Sequence, residues 1–197
     1  MAKLLYQGHS SFRITTDGGT VVYLDPFAGE GYDLPADLVL VSHEHFDHNN
    51  VRLVTLKKGG RILRNGDFLV RGEYRTVVFR DLTIEGTPAC NKCHPVDQCV
   101  GFLISADGVK LYDAGDTSTI PYMRERLARE QLDYALLPID GIYNMEEKEA
   151  SKCARIIGAK HSVPIHMKPG ALFDEKKANA FHADGRLILK PGEEIAL

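Results

Sequence analysis

Ser42-His43-Glu44-His45-Phe46-Asp47-His48 follows without a break on the apolar run Leu38-Val39-Leu40-Val41. A continuous apolar run of this length reads as a buried strand. The chain therefore leaves its core and at once presents three imidazoles and a carboxylate at the strand's end. Imidazole nitrogens and carboxylate oxygens are the donors that a borderline cation such as zinc takes at about 2.0–2.2 Å. His43 and His45, two apart in extended chain, point the same way. Asp47 and His48 follow in a turn and can face a second point close by. The spacing suits two divalent metal ions about 3.5–4 Å apart that share an oxygen ligand. The plain alternative is a surface turn that is histidine-rich by accident; histidine crowded to this degree favours the metal site.

The rest of the composition narrows the class. A chain of 197 residues suits a single domain, 1–197, large enough to bury one core without disulfides. Its 44% hydrophobic and 26% charged residues are those of an ordinary globule. A formal charge of -3 with no basic block argues against a nucleic-acid partner and leaves a small-molecule substrate, phosphorylated or not. No apolar run approaches the roughly 18 residues of a membrane span, and the N-terminus lacks the layout of a signal peptide. A cytoplasmic location without membrane attachment is expected, and with it four reduced cysteines. Cys90-Asn91-Lys92-Cys93-His94 matches the C-x-x-C-H pattern of haem attachment. That chemistry goes with export, which nothing in the sequence provides. A redox pair beside the metal site and a polar loop of small thiols stay open.

On the N-terminal side of the cluster, Lys3 to Gly8, Ser11 to Thr16 and Thr20 to Leu24 read as strands separated by Gly8-His9-Ser10 and Asp17-Gly18-Gly19. Asp25-Pro26 ends the third, and Phe27 to Ala36 is a loop. On the C-terminal side, Asn49 to Leu56 has the spacing of a short helix. Arg61 to Leu63, Phe68 to Arg71, Thr76 to Phe79, Leu82 to Gly86, Val100 to Ser105 and Val109 to Tyr112 read as strands, with a turn at Asn65-Gly66-Asp67. The period then changes. Helices are expected over Ile120 to Glu130, from an Asn144/Glu147 capping box to Ile157 before Gly158, and over Asp174 to His182. Strands are expected at Ala135 to Ile139, His161 to Ile165 and Arg186 to Leu189. Strands early and alternation late give an α/β (α+β) protein with two sheets back to back and helices outside, four layers in all.

Polar residues recur where apolar runs stop: His9, Asp25, the His43–His48 cluster, His94, Asp116, Asp140 and His166. Such strand ends share a rim in layered α/β folds, and sites gather there. Taken singly, Asp25, Asp116 and Asp140 fit Asx turns equally well, and His94 and His166 fit ordinary loop and strand-end histidines. Together they make a constellation. In this order His43-x-His45-x-Asp47-His48, His94, Ala114-Gly115-Asp116-Thr117 and Ile165-His166 resemble the metallo-β-lactamase superfamily. Gly8-His9-Ser10-Ser11-Phe12 and Leu24-Asp25-Pro26-Phe27 are similar to its compact hydrolase branch. That branch includes ascorbate-6-phosphate lactonase and proteins like N-acyl-phosphatidylethanolamine phospholipase D.

The resemblance implies an αββα sandwich with His43, His45 and His94 on one metal. It implies Asp47, His48 and His166 on a second, with Asp116 bridging both. It also implies that Asp25 stands behind a ligand histidine and fixes its tautomer, and that His9 lies near the substrate. Two ions, zinc in the first place with manganese or iron as alternatives, would lower the pKa of a shared water towards about 7. Asp47 would orient that water and take its proton. The expected activity is metal-dependent hydrolysis of an ester, lactone or phosphoester. Tyr143, Asn144 and Lys168 are candidate substrate contacts, Lys168 as a phosphate partner, with a solvated turn lysine equally open. An iron-dependent oxygenase or redox protein on the same fold is an alternative that the nearby cysteines keep open. A nuclease is another, disfavoured by the acidic balance and the lack of a basic or aromatic strip.

Overall fold

The computed structural model describes residues 1–197. The chain opens with β1 (Lys3–Gly8), β2 (Ser11–Thr15), β3 (Val21–Leu24), β4 (Ala36–Val41) and β5 (Leu56–Arg64). A helical turn, α1 (Asn65–Phe68), leads to β6 (Leu69–Val70), β7 (Glu73–Tyr74), β8 (Thr76–Phe79) and β9 (Leu82–Pro88). Then come β10 (Val100–Ala106), β11 (Val109–Asp113), α2 (Pro121–Glu125), β12 (Tyr134–Pro138), α3 (Glu147–Ile157), β13 (His161–Ile165), α4 (Glu175–Ala180) and β14 (Glu194–Ala196).

Two six-stranded sheets result, ordered β14-β1-β2-β3-β4-β5 and β13-β12-β11-β10-β9-β8, with β6 and β7 forming a separate ribbon. Strands β3, β4 and β5 run parallel, as do β11, β12 and β13. Parallel strands are covered on both faces, which is why β4 and β12 read as unbroken apolar runs and why every residue of both is buried. Alternate residues of β3 and β4 show the layering. Val22, Leu24, Leu38 and Leu40 point into the 22-residue core between the sheets, against Ile84, Phe102 and Leu136. Truncating Leu38 or Leu40 to alanine there would cost about 2–5 kcal/mol.

Val21, Tyr23, Val39 and Val41 face the other way. They are covered by Tyr32 of the loop after β3 and by Val51 and Val54, so this outer layer is thin. The outer face of the second sheet carries the helices: Met123 of α2, Ala150, Cys153 and Ile157 of α3, and Ala178 of α4 pack on Tyr112, Ala135 and Leu137. The two sheets stack back to back as expected, with the outer layer of the first reduced to the 3-10 turn Val51–Leu53 and loop residues. No helix is long and apolar enough to cross a membrane.

Several local expectations give way to tertiary demands. The helix expected over Asn49 to Leu56 is a single 3-10 turn, Val51–Leu53. Val51, Val54 and Thr55 are β-branched, and the chain must extend by Leu56 to pair with Ala36. Asn65 to Asp67 forms part of α1 rather than a tight turn, burying Phe68, so the strand expected from Phe68 shrinks to Leu69–Val70. The helix over Ile120 to Glu130 divides into α2 and a 3-10 turn, Leu127–Arg129. Asp174 caps α4, its side chain accepting the Lys177 N–H at 3.0 Å. The final strand is not Arg186 to Leu189, where only Arg186 bridges to Ser162. It is Glu194–Ala196, paired to β1. The Asn144/Glu147 capping box does not form: Glu146 is the N-cap of α3, and Asn144 is committed elsewhere.

Candidate metal centre

The antiparallel and parallel pairings bring seven chain segments to one rim. Asp25 follows β3, the His43–His48 cluster follows β4, and Asp116, Asp140 and His166 follow β11, β12 and β13. His9 sits in the β1–β2 turn and His94 in the β9–β10 loop, both at the same end. Three of these residues, His9, Asp25 and His166, hold backbone φ of 58°, 42° and 44°, a left-handed region that non-glycine residues seldom occupy and that gathers at functional sites. The turn that delivers Asp116 depends on Gly115, at φ 60°. A Cβ there would stand 2.6 Å from the Val100 carbonyl oxygen.

His43, His45 and His94 form one group whose ligand atoms all lie within 4.8 Å of one another. His43 is buried, with Nδ1 3.0 Å from Ser42 Oγ and Nε2 lacking any partner. Burial holds its pKa far below the ordinary imidazole range, helped by the His48, His94 and His45 rings. His94 Nε2 lies 3.0 Å from His45 Nδ1, and its Nδ1 lies 2.9 Å from Asn91 Oδ1.

His9, Asp47, His48 and His166 form a second group, again within 4.8 Å. His48 Nδ1 is 2.7 Å from Asp25 Oδ2, while the Ser42 N–H and hydroxyl donate to the same carboxylate at 2.7 and 2.5 Å. A third grouping, Asp25 with His43 and His48, is less suited to a metal because these bonds engage both Asp25 oxygens. Asp116 stands between the halves. Its Oδ1 is 3.4 Å from His48 Nε2, and its Oδ2 is 3.6 Å from His166 Nε2 and 3.8 Å from His94 Nε2. His166 Nδ1 contacts Asp140 Oδ2 at 3.3 Å, an ion-pair distance without good hydrogen-bond alignment.

Cations fit this arrangement. Asp25, Asp47, Asp116 and Asp140 are all buried, and histidines are their only basic side-chain partners. Buried carboxylates without compensation are expensive. His43 Nε2, His48 Nε2 and Asp116 Oδ1 are buried without a hydrogen-bond partner. His9 adds a further sign. Its Nδ1 is 3.0 Å from the Ala171 carbonyl oxygen, which can only accept, so Nδ1 carries a proton. In the neutral ring, Nε2 then turns a lone pair towards Asp47 Oδ2 at 3.2 Å. A cation or an added proton relieves that clash.

The charges respond accordingly. Burial pushes the Asp47 and Asp116 pKa values up, but the positive potential of neighbouring histidines more than offsets it and both end below the usual carboxylate range. Asp140 falls to about 2 for the same reason, with His166 and the Tyr143 and Ile142 N–H groups on its carboxylate. Burial lowers His48, yet Asp116 and Asp25 carry it up to about 9. His166 is raised likewise by Asp116 and Asp140 against its burial.

Above the clusters lies a cavity of about 380 Å³. Asp47, His94, Asp116 and His166 make its buried floor. His45, Glu44, Phe46, Cys93 and Tyr143 stand exposed around its mouth. Tyr143 is thus on the cavity. Lys168 is not: it is exposed and does not line the wall. His9 is fully buried behind Asp47, with its ring centroid 3.9 Å from that of His166. Ser42, Asn91 and Phe46 also serve the site, although none has a ligand-type side chain in the pattern of the sequence. Only Phe46, an aromatic amid ligand-type residues, carried a signal.

Residues 3–166 match a family described as the beta-lactamase superfamily domain. The chain is 30% identical over its whole length to a UPF0173 metal-dependent hydrolase of Thermococcus onnurineus, also covered in full. It is 36% identical to one from Methanoregula boonei over 83% of this chain and 81% of that protein. Among solved structures, a metallo hydrolase from the archaeon Ignicoccus hospitalis superposes with a TM-score of 0.74 at 25% identity, covering 98% of this chain and 97% of its own. Fold, clustered ligand-type groups and relatives converge: the chain belongs to the metallo-β-lactamase superfamily and is a metal-dependent hydrolase.

Proposed function

We propose that the centre holds two divalent ions and hydrolyses an ester, lactone or phosphoester of a small molecule. His43, His45 and His94 would bind one ion, and Asp47, His48 and His166 the other, with Asp116 between them. The observation that carries this reading is Asp116, whose two oxygens face nitrogens of both clusters at 3.4–3.8 Å. Imidazole and carboxylate donors without cysteine favour zinc over softer metals, with manganese or iron as substitutes. When bound, paired ions lower the pKa of a shared water towards neutrality and polarise the group under attack.

The chain's own residues do the rest. Asp47 and Asp116 compensate the charge, and Asp47, on the cavity floor, is placed to orient the water and accept its proton. Asp25 and Asp140 hold His48 and His166 through their far nitrogens, Nδ1, so that Nε2 faces inward. His9, once Nε2 gains a proton, donates to Asp47 from behind. The cavity volume suits a small molecule. The likeness to lactonases and phospholipase D-like proteins of the compact branch is part of this proposal, as is a cytoplasmic location.

Elemental analysis of the purified protein, paired with His45→Ala, tests it. About two equivalents of metal are expected in the parent, with metal content and hydrolytic rate falling together in the variant. Full activity in a variant stripped of metal would overturn it.

A further inference from the structure

The cavity wall contains no lysine or arginine. Its exposed acid, Glu44, is already paired, with Arg64 Nη1 2.6 and 2.8 Å from its two oxygens. Lys168 lies off the wall. Lys177, beneath Asp140, is committed to the carbonyl oxygens of Ile139 and Asp140 and to Glu147. The backbone amides on the rim at Ile142 and Tyr143 donate to Asp140 Oδ1 at 2.6 and 2.7 Å and are not free for an anion. A phosphate or carboxylate set away from the scissile bond would find no lysine, arginine or free amide on this wall, whose basic side chains are the ligand histidines His45, His94 and His166. Sites for such groups ordinarily supply arginine, lysine or free amides.

The mouth is aromatic instead. Phe46 is 74% exposed and Tyr143 44%, and both border the cavity. Phe46 has a fixed seat, its ring edge-on to Phe27 with centroids 6.0 Å apart, yet most of its surface stays open. Exposed aromatic surface beside a cavity is where an apolar ligand group gains most by leaving water.

Resting on the hydrolytic reading of this same site, we infer that the substrate is an uncharged carboxylic ester or lactone whose apolar substituent seats against Phe46 and Tyr143. Water adds to the carbonyl carbon, the acyl C–O bond breaks, and the water's proton ends on the departing alkoxide. An ester gives alcohol and carboxylate, and a lactone one hydroxy-carboxylate, with the second proton of the water released to solvent.

The metal-loaded full chain is assayed on p-nitrophenyl acetate, p-nitrophenyl hexanoate, mono-p-nitrophenyl adipate and bis-p-nitrophenyl phosphate. The hexanoate and adipate esters share six acyl carbons and differ in an apolar against an anionic end. The kcat/KM for hexanoate is expected to exceed those for acetate and adipate by about tenfold, with the phosphodiester slower still. In Phe46→Ala and Tyr143→Ala the hexanoate-to-acetate ratio falls about fivefold through KM, and Phe46→Leu restores part of it. Phe46 lies outside the core, so its loss does not threaten folding.

Preference for adipate or the phosphodiester overturns the substrate class and leaves the hydrolytic reading standing. An unchanged ratio in both alanine variants also overturns the substrate class. Absence of metal-dependent turnover with all four compounds overturns the hydrolytic reading along with it.

Discussion

Asn91 Nδ2 donates a 2.8 Å hydrogen bond to Asn144 Oδ1 across 53 residues of chain. The bond joins the two halves of the metal centre. On one side, Asn144 Nδ2 donates to Asp140 Oδ2 at 2.7 Å, the oxygen that faces His166. On the other, Asn91 Oδ1 accepts the N–H groups of Cys93 and His94, both at 2.8 Å. Backbone N–H groups only donate, so they fix which end of the Asn91 amide is oxygen. His94 Nδ1, 2.9 Å from that oxygen, must carry the proton, and Nε2 turns its lone pair to the cluster.

Asn91→Ala removes the acceptor that sets this tautomer and frees the loop that carries His94. Metal affinity should fall about 10–100-fold, the usual effect of losing a partner behind a ligand histidine. Asn91→Asp keeps the acceptor for His94 but loses the bond to Asn144, so it should fall between parent and alanine variant. Competition against a chromogenic chelator measures all three. An alanine variant within twofold of the parent would contradict the assignment.

Asp25 carries a comparable load at the other histidine. It is fully buried and accepts from the Ser42 N–H and hydroxyl and from His48. Asp25→Ala strands the Ser42 amide and the His48 Nδ1 proton away from water. The expected loss is about 3–5 kcal/mol of unfolding free energy, since breaking a buried pair leaves its partner uncompensated. Asp25→Asn keeps an acceptor and tolerates the left-handed backbone, so it should cost less. Urea unfolding of chelator-stripped protein decides; a loss under about 1 kcal/mol for the alanine variant would count against this role.

These residues also show how far a sequence carries. The Ser42–His48 stretch could be read because its ligand-type residues are contiguous and follow an apolar run. Asp116, Asp140 and His166 could be read as polar stops after strands that share one rim. Asn91 could not, because an amide in a loop has no period, and its importance comes from bonds to residues distant in sequence. Asn144 misled through its spacing to Glu147: Asp140 and Asn91 outcompete the helix terminus for its side chain. Lys168 looked well placed by adjacency to His166, but the chain turns outward there, with the Ala171 N–H closing onto the Lys168 carbonyl oxygen. The left-handed backbone at His9, Asp25 and His166 is set by tertiary contacts such as the His166 N–H donating to the His9 carbonyl oxygen.

The pH dependence of metal binding should follow His48. Without metal its pKa lies near 9, because Asp116 and Asp25 outweigh the effect of burial. The folded value stands above the unfolded one, about 6.5. Its stabilising contribution is therefore complete below about pH 6.5 and lost as pH rises through about 9. Metal at Nε2 must displace that proton, so affinity should climb with pH across the same window, by up to about tenfold per unit from His48 and more where His166, also raised, still holds its proton. His43, held neutral by burial, adds no slope there. Zinc competition titrations from pH 6.5 to about 9, with proton release measured by calorimetry in two buffers, test this. Affinity independent of pH would contradict it.

Metal should also stabilise the fold, since His43 Nε2, His48 Nε2 and Asp116 Oδ1 are buried without hydrogen-bond partners. An ion gives each a ligand bond that the unfolded chain cannot assemble. At a free concentration of about 100 Kd the gain is roughly 2.7 kcal/mol. For a chain of this length that corresponds to an increase in Tm of about 5–11 °C. Asp116→Asn keeps the side chain's size but removes the charge between the clusters, so its Tm should rise by less than half as much on adding zinc. Thermal melts with zinc, and after chelation with EDTA, make the comparison. A parent Tm that does not move, or a shift undiminished in Asp116→Asn, would separate Asp116 from the metal centre.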